Sequence, residues 1–239
     1  MIVTTSDKPN AGQIERAHRV AERCDVLYVP RRGPIGGFAY VVGRNRDELR
    51  DRGTSLTVHQ GMLRARLQAG LEHPLIRALG PAKHVVDGTL GLAGDALHIA
   101  SVLECQVTGI EGSPVIFSLL EEGIPRLARE LDAAGRISLR HGEAGVVLDE
   151  MGPADAVFLA PMYQTPRAAS PGFELLRQVA LHDPLSDRIL DAAARIAPRI
   201  VVKVDPGTAD VAGTIERIRG KSVDYLVIRG SADTVGIAK

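Results

Sequence analysis

One run constrains this chain more than any other. In His84-Val85-Val86-Asp87-Gly88-Thr89-Leu90-Gly91-Leu92-Ala93-Gly94-Asp95 an apolar segment ends in an acid and passes at once into a glycine-rich stretch. The paired valines favour a buried strand. The glycines allow a sharp turn and let a ligand approach the main chain closely. The apolar spacing that follows predicts a helix over residues 94–103, whose N-terminus offers unpaired N–H groups and a positive dipole end to an anionic group such as a carboxylate. Strand, glycine turn and helix in this order place a ligand outside the carboxyl ends of a parallel sheet.

The alternation continues to the end of the chain. Further strands are expected at residues 107–110, 137–140, 156–160, 199–204 and 224–228, and helices at 114–120, 126–133, 173–196 in two pieces, and 210–219. Such a pattern predicts an α/β fold, a Rossmann-like and mostly parallel sheet with helices on both faces. The N-terminal part reads as a smaller α/β unit, with strands at 2–4, 26–29 and 38–42 and a helix at 11–22, its Ile14, Ala17, Val20 and Ala21 at helical spacing. The expected division is 1–58 for this subdomain, 59–83 for a helical connector split at Pro74, and 84–239 for the ligand-binding domain.

Composition excludes several classes. Two cysteines, Cys24 and Cys105, lie far apart without a metal-ligand spacing, which argues against a disulfide scaffold and for a reducing compartment. No apolar run approaches the length of a membrane span and the opening residues lack a signal pattern, so a cytoplasmic address is expected. Seven histidines are scattered with no paired metal spacing, and no metal is expected. Net charge is zero but unevenly spread: residues 1–83 carry 14 Lys or Arg against 8 Asp or Glu, and the remainder carries 15 against 21. A basic N-terminal unit suits an anionic partner such as RNA, with Arg64 and Arg66 as candidates; the same arginines also read as ordinary solvated charges.

The remaining candidates sit at successive strand ends. Glu111 follows the second strand about twenty residues after the glycine turn, where an acid accepts from ribose hydroxyls; that position serves dinucleotides and S-adenosylmethionine alike. Glu143 and Ala144 follow the third strand, and Ala160-Pro161-Met162-Tyr163 follow the fourth. Ser113, before Pro114, reads as a helix cap. Asp183 and Asp187 read as a solvated helix face, and Lys203 as a strand lysine at the rim or facing an anion.

In HPLIRALG, VVDGTLGLAGDALHIAS, the acid of GIEGSP, LAPMYQ and RIVVKV, spread over about residues 73–204, the chain resembles the class I methyltransferases of bacteria that modify guanine N2 near the 3′ end of small-subunit ribosomal RNA. With its IVTT opening and YVPRRG it also looks like a set of bacterial methyltransferases predicted from sequence and of unassigned substrate. The resemblance implies S-adenosylmethionine as cofactor. It implies that Asp87, Gly88, Thr89, Gly91, Gly94 and Asp95 hold the methionine end. It further implies Glu111 and Gly112 at the ribose, Glu143, Ala144 and Ala160 around the adenine and methyl, and Pro161, Met162 and Tyr163 beside the acceptor. One departure stands out: the family carries an acid where this chain has Ala160. A charge-assisted bond to a target amino group, about 1.5–3 kcal/mol, is thereby missing.

Three readings are open at this point. The first is a methyltransferase acting on RNA or another nucleobase-like acceptor. The second is a catalytically idle cofactor-binding protein of the same fold, motivated by Ala160. The third is a NAD-binding Rossmann oxidoreductase, which the absence of GxGxxG and the acid ending the first strand speak against.

Overall fold

The computed structural model describes residues 1–161, 171–181 and 185–232. The N-terminal unit is a four-stranded sheet in the order β1-β2-β3-β4, built from β1 (Ile2–Thr5), β2 (Ala39–Val42), β3 (Glu48–Asp51) and β4 (Thr54–Leu56). Helix α1 (Ala11–Arg23) links the parallel pair β1 and β2. A capping box starts this helix: Asn10 Oδ1 accepts from the Gln13 N–H at 2.9 Å while Gln13 Oε1 accepts from the Asn10 N–H at 3.1 Å. The strand expected at 26–29 shrinks to a single bridge between Tyr28 and Val3. Leu27 O still accepts from the Val3 N–H, but Asp25 takes a left-handed φ of 51° and Pro30 ends the run, so no ladder propagates. The hairpin of β3 and β4 was not expected. Its charges, Glu48, Arg50, Asp51 and Arg52, hide an alternation anchored only by buried Leu49 and Leu56, and Arg52 and Gly53 turn it with φ of 42° and 88°.

The connector forms α2 (Leu63–Leu67), a 3₁₀ turn at Gly70–Glu72, and α3 (Pro74–Leu79). Proline opens α3 at its first position, and His73 Nδ1 accepts from the Leu75 N–H at 3.2 Å.

The larger sheet has seven strands in the order β10-β11-β9-β8-β5-β6-β7. Along the chain it comprises β5 (His84–Asp87), α4 (Gly94–Leu103), β6 (Gln106–Glu111), α5 (Pro114–Leu127), α6 (Asp132–Gly135), β7 (Ile137–His141) and α7 (Ala144–Asp149). Then follow β8 (Ala156–Leu159), α8 (Pro171–Arg177), α9 (Asp187–Ile196), β9 (Arg199–Val204), β10 (Thr214–Arg219) and β11 (Asp224–Arg229). Five strands are parallel, and β10 and β11 close one edge antiparallel. The helix expected at 210–219 is therefore corrected to a loop and strand β10. Ile215 and Ile218 are three apart, which mimics helical spacing, yet a register shift between Thr214 and Glu216 turns Ile215 to solvent while Ile218 enters the core. The two helices expected at 114–120 and 126–133 are one helix, α5, continued through exposed Pro125 because Ile124 and Leu127 on either side are buried, with α6 as a separate turn.

Apolar layers cover both faces. On one, Leu97, Ile99, Leu119 and Leu120 pack with Leu75 and Leu79 of the connector, and this core extends into the N-terminal sheet through Tyr40 and Leu49. On the other, Leu148, Ile189, Ala193 and Ile196 cover Val157 and Val202. Full burial of one such side chain is worth about 1.5–3 kcal/mol. Strand order reverses at β5, which has β6 on one side and β8 on the other, so the crevice at the carboxyl ends of these strands is where a ligand enters. Among the described residues no helix is long and apolar enough to cross a membrane.

Candidate functional site

At the tip of β5, Asp87 is buried and its Oδ1 accepts from the Thr89 N–H at 3.0 Å. Burial pushes its carboxyl up to about 7, opposed by the Thr89 amide and reinforced by the nearby Asp95 charge. The turn is knitted to both neighbouring strands: the Gly88 N–H reaches Phe158 O at 2.9 Å and the Leu90 N–H reaches Ile110 O at 3.0 Å. Gly91 takes a φ of 54°, and Ala93, also left-handed at 62°, precedes α4 without a side-chain cap.

At the tip of β6, Glu111 is 8% exposed. Its Oε2 accepts from the Gly91 N–H at 2.9 Å and its Oε1 from the Ser113 N–H at 2.7 Å. Burial pushes this carboxyl to about 7 as well, against the opposing pull of the Ser113, Gly91 and Gly112 amides. A carboxylate has about four acceptor sites, so capacity remains here for a further donor. Ser113 caps α5 as expected, its Oγ accepting from the Ile116 N–H at 3.3 Å. Beside it, a Cβ added to Gly112 would lie 2.4 Å from Leu181 Cδ1 and 3.3 Å from Gly142 O, so a larger residue there would displace the Leu181 side chain and crowd the Gly142 carbonyl. The tip of β7 turns at Gly142, and Glu143, half-exposed at the start of α7, has Arg188 at 4.0 Å. Past β8, the Ala160 N–H donates to Thr89 Oγ1 at 2.6 Å.

These tips surround one cleft of about 700 Å³, measured with its open mouth. From the first two strands it takes Gly88, Thr89, Gly91, Glu111 and Gly112. From the next two it takes Glu143, Ala144, Ala160 and Pro161. Asp87, Gly94 and Asp95 lie off its lining. Met162 and Tyr163 fall outside the described residues, as does Asp183. Sequence reasoning missed the apolar wall, which Ile116, Leu159, Leu181, Leu185 and Ile189 supply. Ile116 and Ile189 sit at core-like helical spacing, so the sequence carries no signal that separates their cleft-facing role from packing.

Behind the turn lies a second polar group. Asp95, in the first turn of α4, meets Arg66 of α2 at 2.5 Å and Lys203 of β9 at 2.8 Å. Burial is the largest influence and works against ionisation, yet Lys203 and Arg66 together hold the carboxyl below its ordinary range. Lys203 is thus an internal partner rather than a rim cation, and Arg66 is tied down while Arg64 stays exposed. His98 is fully buried against the His73 ring, with 4.3 Å between ring centroids. Burial, then His73 and Arg66, lower its pKa to about 4, so the ring is neutral. Among the described residues no group of three or more His, Cys, Asp or Glu is placed to hold a metal ion.

Comparison with known proteins agrees with this geometry. A family profile described as "Putative SAM-dependent methyltransferase" matches residues 44–223. The chain is 31% identical to the ribosomal RNA small subunit methyltransferase J of Chromobacterium violaceum over 246 aligned positions, covering 92% of this chain and 95% of that protein. It is 36% identical to the protein of the same name from Alteromonas mediterranea over 152 residues, a match that spans 59% of this chain and only 58% of the relative. The crystal structure of the SAM-dependent methyltransferase NGO1261 from Neisseria gonorrhoeae superposes over the full length of both chains with a TM-score of 0.72 at 23% identity, a likeness of fold. The strand tips, the acid-ended glycine turn and these matches agree, and the chain belongs to this family of SAM-dependent methyltransferases.

Proposed function

We propose that this chain transfers the methyl group of S-adenosylmethionine to a nucleobase in RNA. The observation that carries the reading is the convergence of four strand tips on one cleft in which buried Glu111 still has lone pairs to give. The residues fit the cofactor. Gly88 and Gly91 leave open main chain for the methionine end, with Asp87 and Asp95 bracing the turn from behind. Glu111 accepts from the ribose hydroxyls, Gly112 offers a flat floor, and Glu143 with Ala144 faces the adenine. Leu181, Leu185 and Ile189 keep this end dry.

When bound, the cofactor supplies an electrophilic methyl carbon on a sulfonium. The protein's part is alignment and exclusion of water, and a strong general base is not required. Ala160 and Pro161 mark the acceptor side, where Met162 and Tyr163 continue the loop.

An RNA acceptor is supported by relatives named for small-subunit ribosomal RNA. The N-terminal unit also suits it. Strand β4 packs against α8, the first described helix after the acceptor loop, with Leu56 beside Gly172. Exposed Arg44, Arg46 and Arg129 make no ion pair within the described residues, while Arg16, Arg23 and Arg126 are held by Asp47, Glu121 and Glu122. The basic surface is therefore smaller than the sequence count implies. Such an enzyme acts in the cytoplasm.

The test is transfer of tritiated methyl from S-adenosylmethionine to small-subunit RNA from a strain lacking this chain. Label is expected in that RNA and not in RNA from the parent strain; no label in either overturns the reading. The alanine at 160 favours one alternative, a cofactor-binding protein without turnover. Binding without transfer to any RNA in the same assay would select it. The NAD-binding reading is not favoured by the family match.

A further inference from the structure

A groove leaves the cleft along helix α5. Ile116, in the first turn of α5, lines the cleft, and Arg126 stands about 15 Å further along the helix axis. Helix α1 lies beside this stretch and is fastened to it. Arg23 donates to Ser118 Oγ at 3.1 Å and pairs with Glu121. Asp47, whose carboxylate holds Arg16 at 2.7 Å, gives its own N–H to Glu122 Oε2 at 3.2 Å. The seam between the two helices holds two hollows of about 560 and 680 Å³, measured with their open mouths, which share Arg16 and Glu122. Six arginines line it: Arg16, Arg19 and Arg23 from α1, Arg44 from the turn after β2, Arg126 from the last turn of α5, and Arg129 just past it.

Four of these guanidiniums are matched by a carboxylate: Arg16 by Asp47, Arg19 by Glu15, Arg23 by Glu121 and Arg126 by Glu122. Arg44 and Arg129 are exposed and make no ion pair among the described residues, so the surplus positive charge collects at the end of the groove farthest from Ile116 and the cleft. Exposed Asn45 and Arg46 follow Arg44 in the same turn and add an amide and a further cation. The pairings hold the matched arginines in place, and a guanidinium has more N–H donors than one carboxylate takes up. Charge spread along a furrow between two helices complements a string of phosphates better than one compact anion. We propose that the groove between α1 and α5 binds the phosphodiester backbone of the acceptor RNA, with Arg44 and Arg129 on phosphates and the target base in the cleft at its other end. The inference rests on the reading of the chain as an RNA methyltransferase.

Filter binding of small-subunit RNA from a strain lacking this chain, over a series of salt concentrations, tests the groove. Arg44→Gln with Arg129→Gln should bind that RNA at least about fivefold more weakly than wild type at about 0.1 M salt, and should take about 1.5–2 from the slope of log affinity against log salt. The KM for RNA should rise by the same factor, with kcat at saturating RNA and affinity for S-adenosylhomocysteine unchanged, since neither arginine lines the cleft. The control removes equal charge elsewhere. Arg219→Gln with Arg229→Gln, exposed on β10 and β11 at the opposite edge of the large sheet from β6 and β7, should leave affinity and slope as in wild type. Unchanged affinity and slope in the groove variant, or an equal loss in the control, overturns the proposal. If the double variant does not fold, Arg44→Gln and Arg129→Gln are read singly, each expected to take about one unit from the slope, and unchanged slopes again contradict the groove. RNA that the wild type fails to bind at all removes the RNA reading itself, and the groove with it.

Discussion

Glu111 Oε2 accepts from the Gly91 N–H at 2.9 Å, so the acid that ends β6 braces the glycine turn that follows β5. Its second oxygen does the same for Ser113 at the start of α5. A residue expected only to meet a ribose thus also holds two main-chain amides in place before any ligand arrives.

Glu111→Ala should therefore act twice. Loss of charged hydrogen bonds to two hydroxyls, each worth about 1.5–3 kcal/mol, lowers affinity for S-adenosylhomocysteine by at least about tenfold. Leaving the Gly91 and Ser113 amides without partners costs about 1–3 kcal/mol of stability each. Glu111→Gln keeps an acceptor and should fall between. Calorimetry and urea denaturation read the two effects separately; a variant with unchanged affinity would show that Glu111 is structural alone.

Affinity should also depend on pH. Burial raises both Asp87 and Glu111 to about 7, so in the free protein they hold protons that an unfolded chain gives up near its ordinary value of about 4. Their contribution to stability is fully present below pH ~4 and is lost as pH rises through 7. A ligand with an ammonium, a sulfonium and two ribose donors favours the ionised forms. Binding of S-adenosylmethionine should therefore strengthen from pH 6 to 8 and release protons, seen as a binding heat that varies with the ionisation enthalpy of the buffer. A heat independent of buffer at pH 6.5 would contradict this.

The Asp95–Lys203 pair at 2.8 Å joins α4 to β9. Lys203→Met leaves Asp95 with Arg66 alone, and a broken, largely buried pair costs on the order of 3 kcal/mol. The double variant Asp95→Asn with Lys203→Met should recover part of that loss, because the one charge left without its partner is Arg66, whose side chain is about a third exposed and can be solvated. Because Asp95 is held below its ordinary range, the wild-type contribution is present above pH ~4 and fades on acidification. Urea midpoints of the wild type and these two variants at pH 7 check the order.

Gly123 lies under Val58, and a Cβ placed there would meet Val58 Cβ at 2.4 Å. Gly123→Ala should destabilise by about 1–3 kcal/mol by prising α5 from the N-terminal unit, and Val58→Gly in the same chain, which removes the clashing Cβ, should restore room, so the double variant loses less than the two single losses added together. Additive losses in thermal melts would mean the two do not share a contact.

The parallel sheet was legible because its strands and turns follow local rules: Val85-Val86 before an acid and glycines, Ser113-Pro114 at a helix start, and Ile200 to Val202 as an unbroken apolar strand. The misreadings share a cause. In β10 an irregular register made strand residues look helical, and in β3 and β4 charge concealed two buried leucines. At the site, residues beside a glycine turn announced themselves, whereas Leu181 and Leu185 reach the cleft only through tertiary folding. Lys203 and Arg66 looked like surface cations because nothing local points to Asp95, far away in sequence.

Titration of S-adenosylhomocysteine into the purified chain, with NAD as the control, tests the central claim most directly. A saturable heat for S-adenosylhomocysteine that weakens at least about tenfold in Glu111→Ala, with none for NAD, is the predicted result. Binding of NAD in its place, or no binding of S-adenosylhomocysteine by a folded wild type, would contradict it.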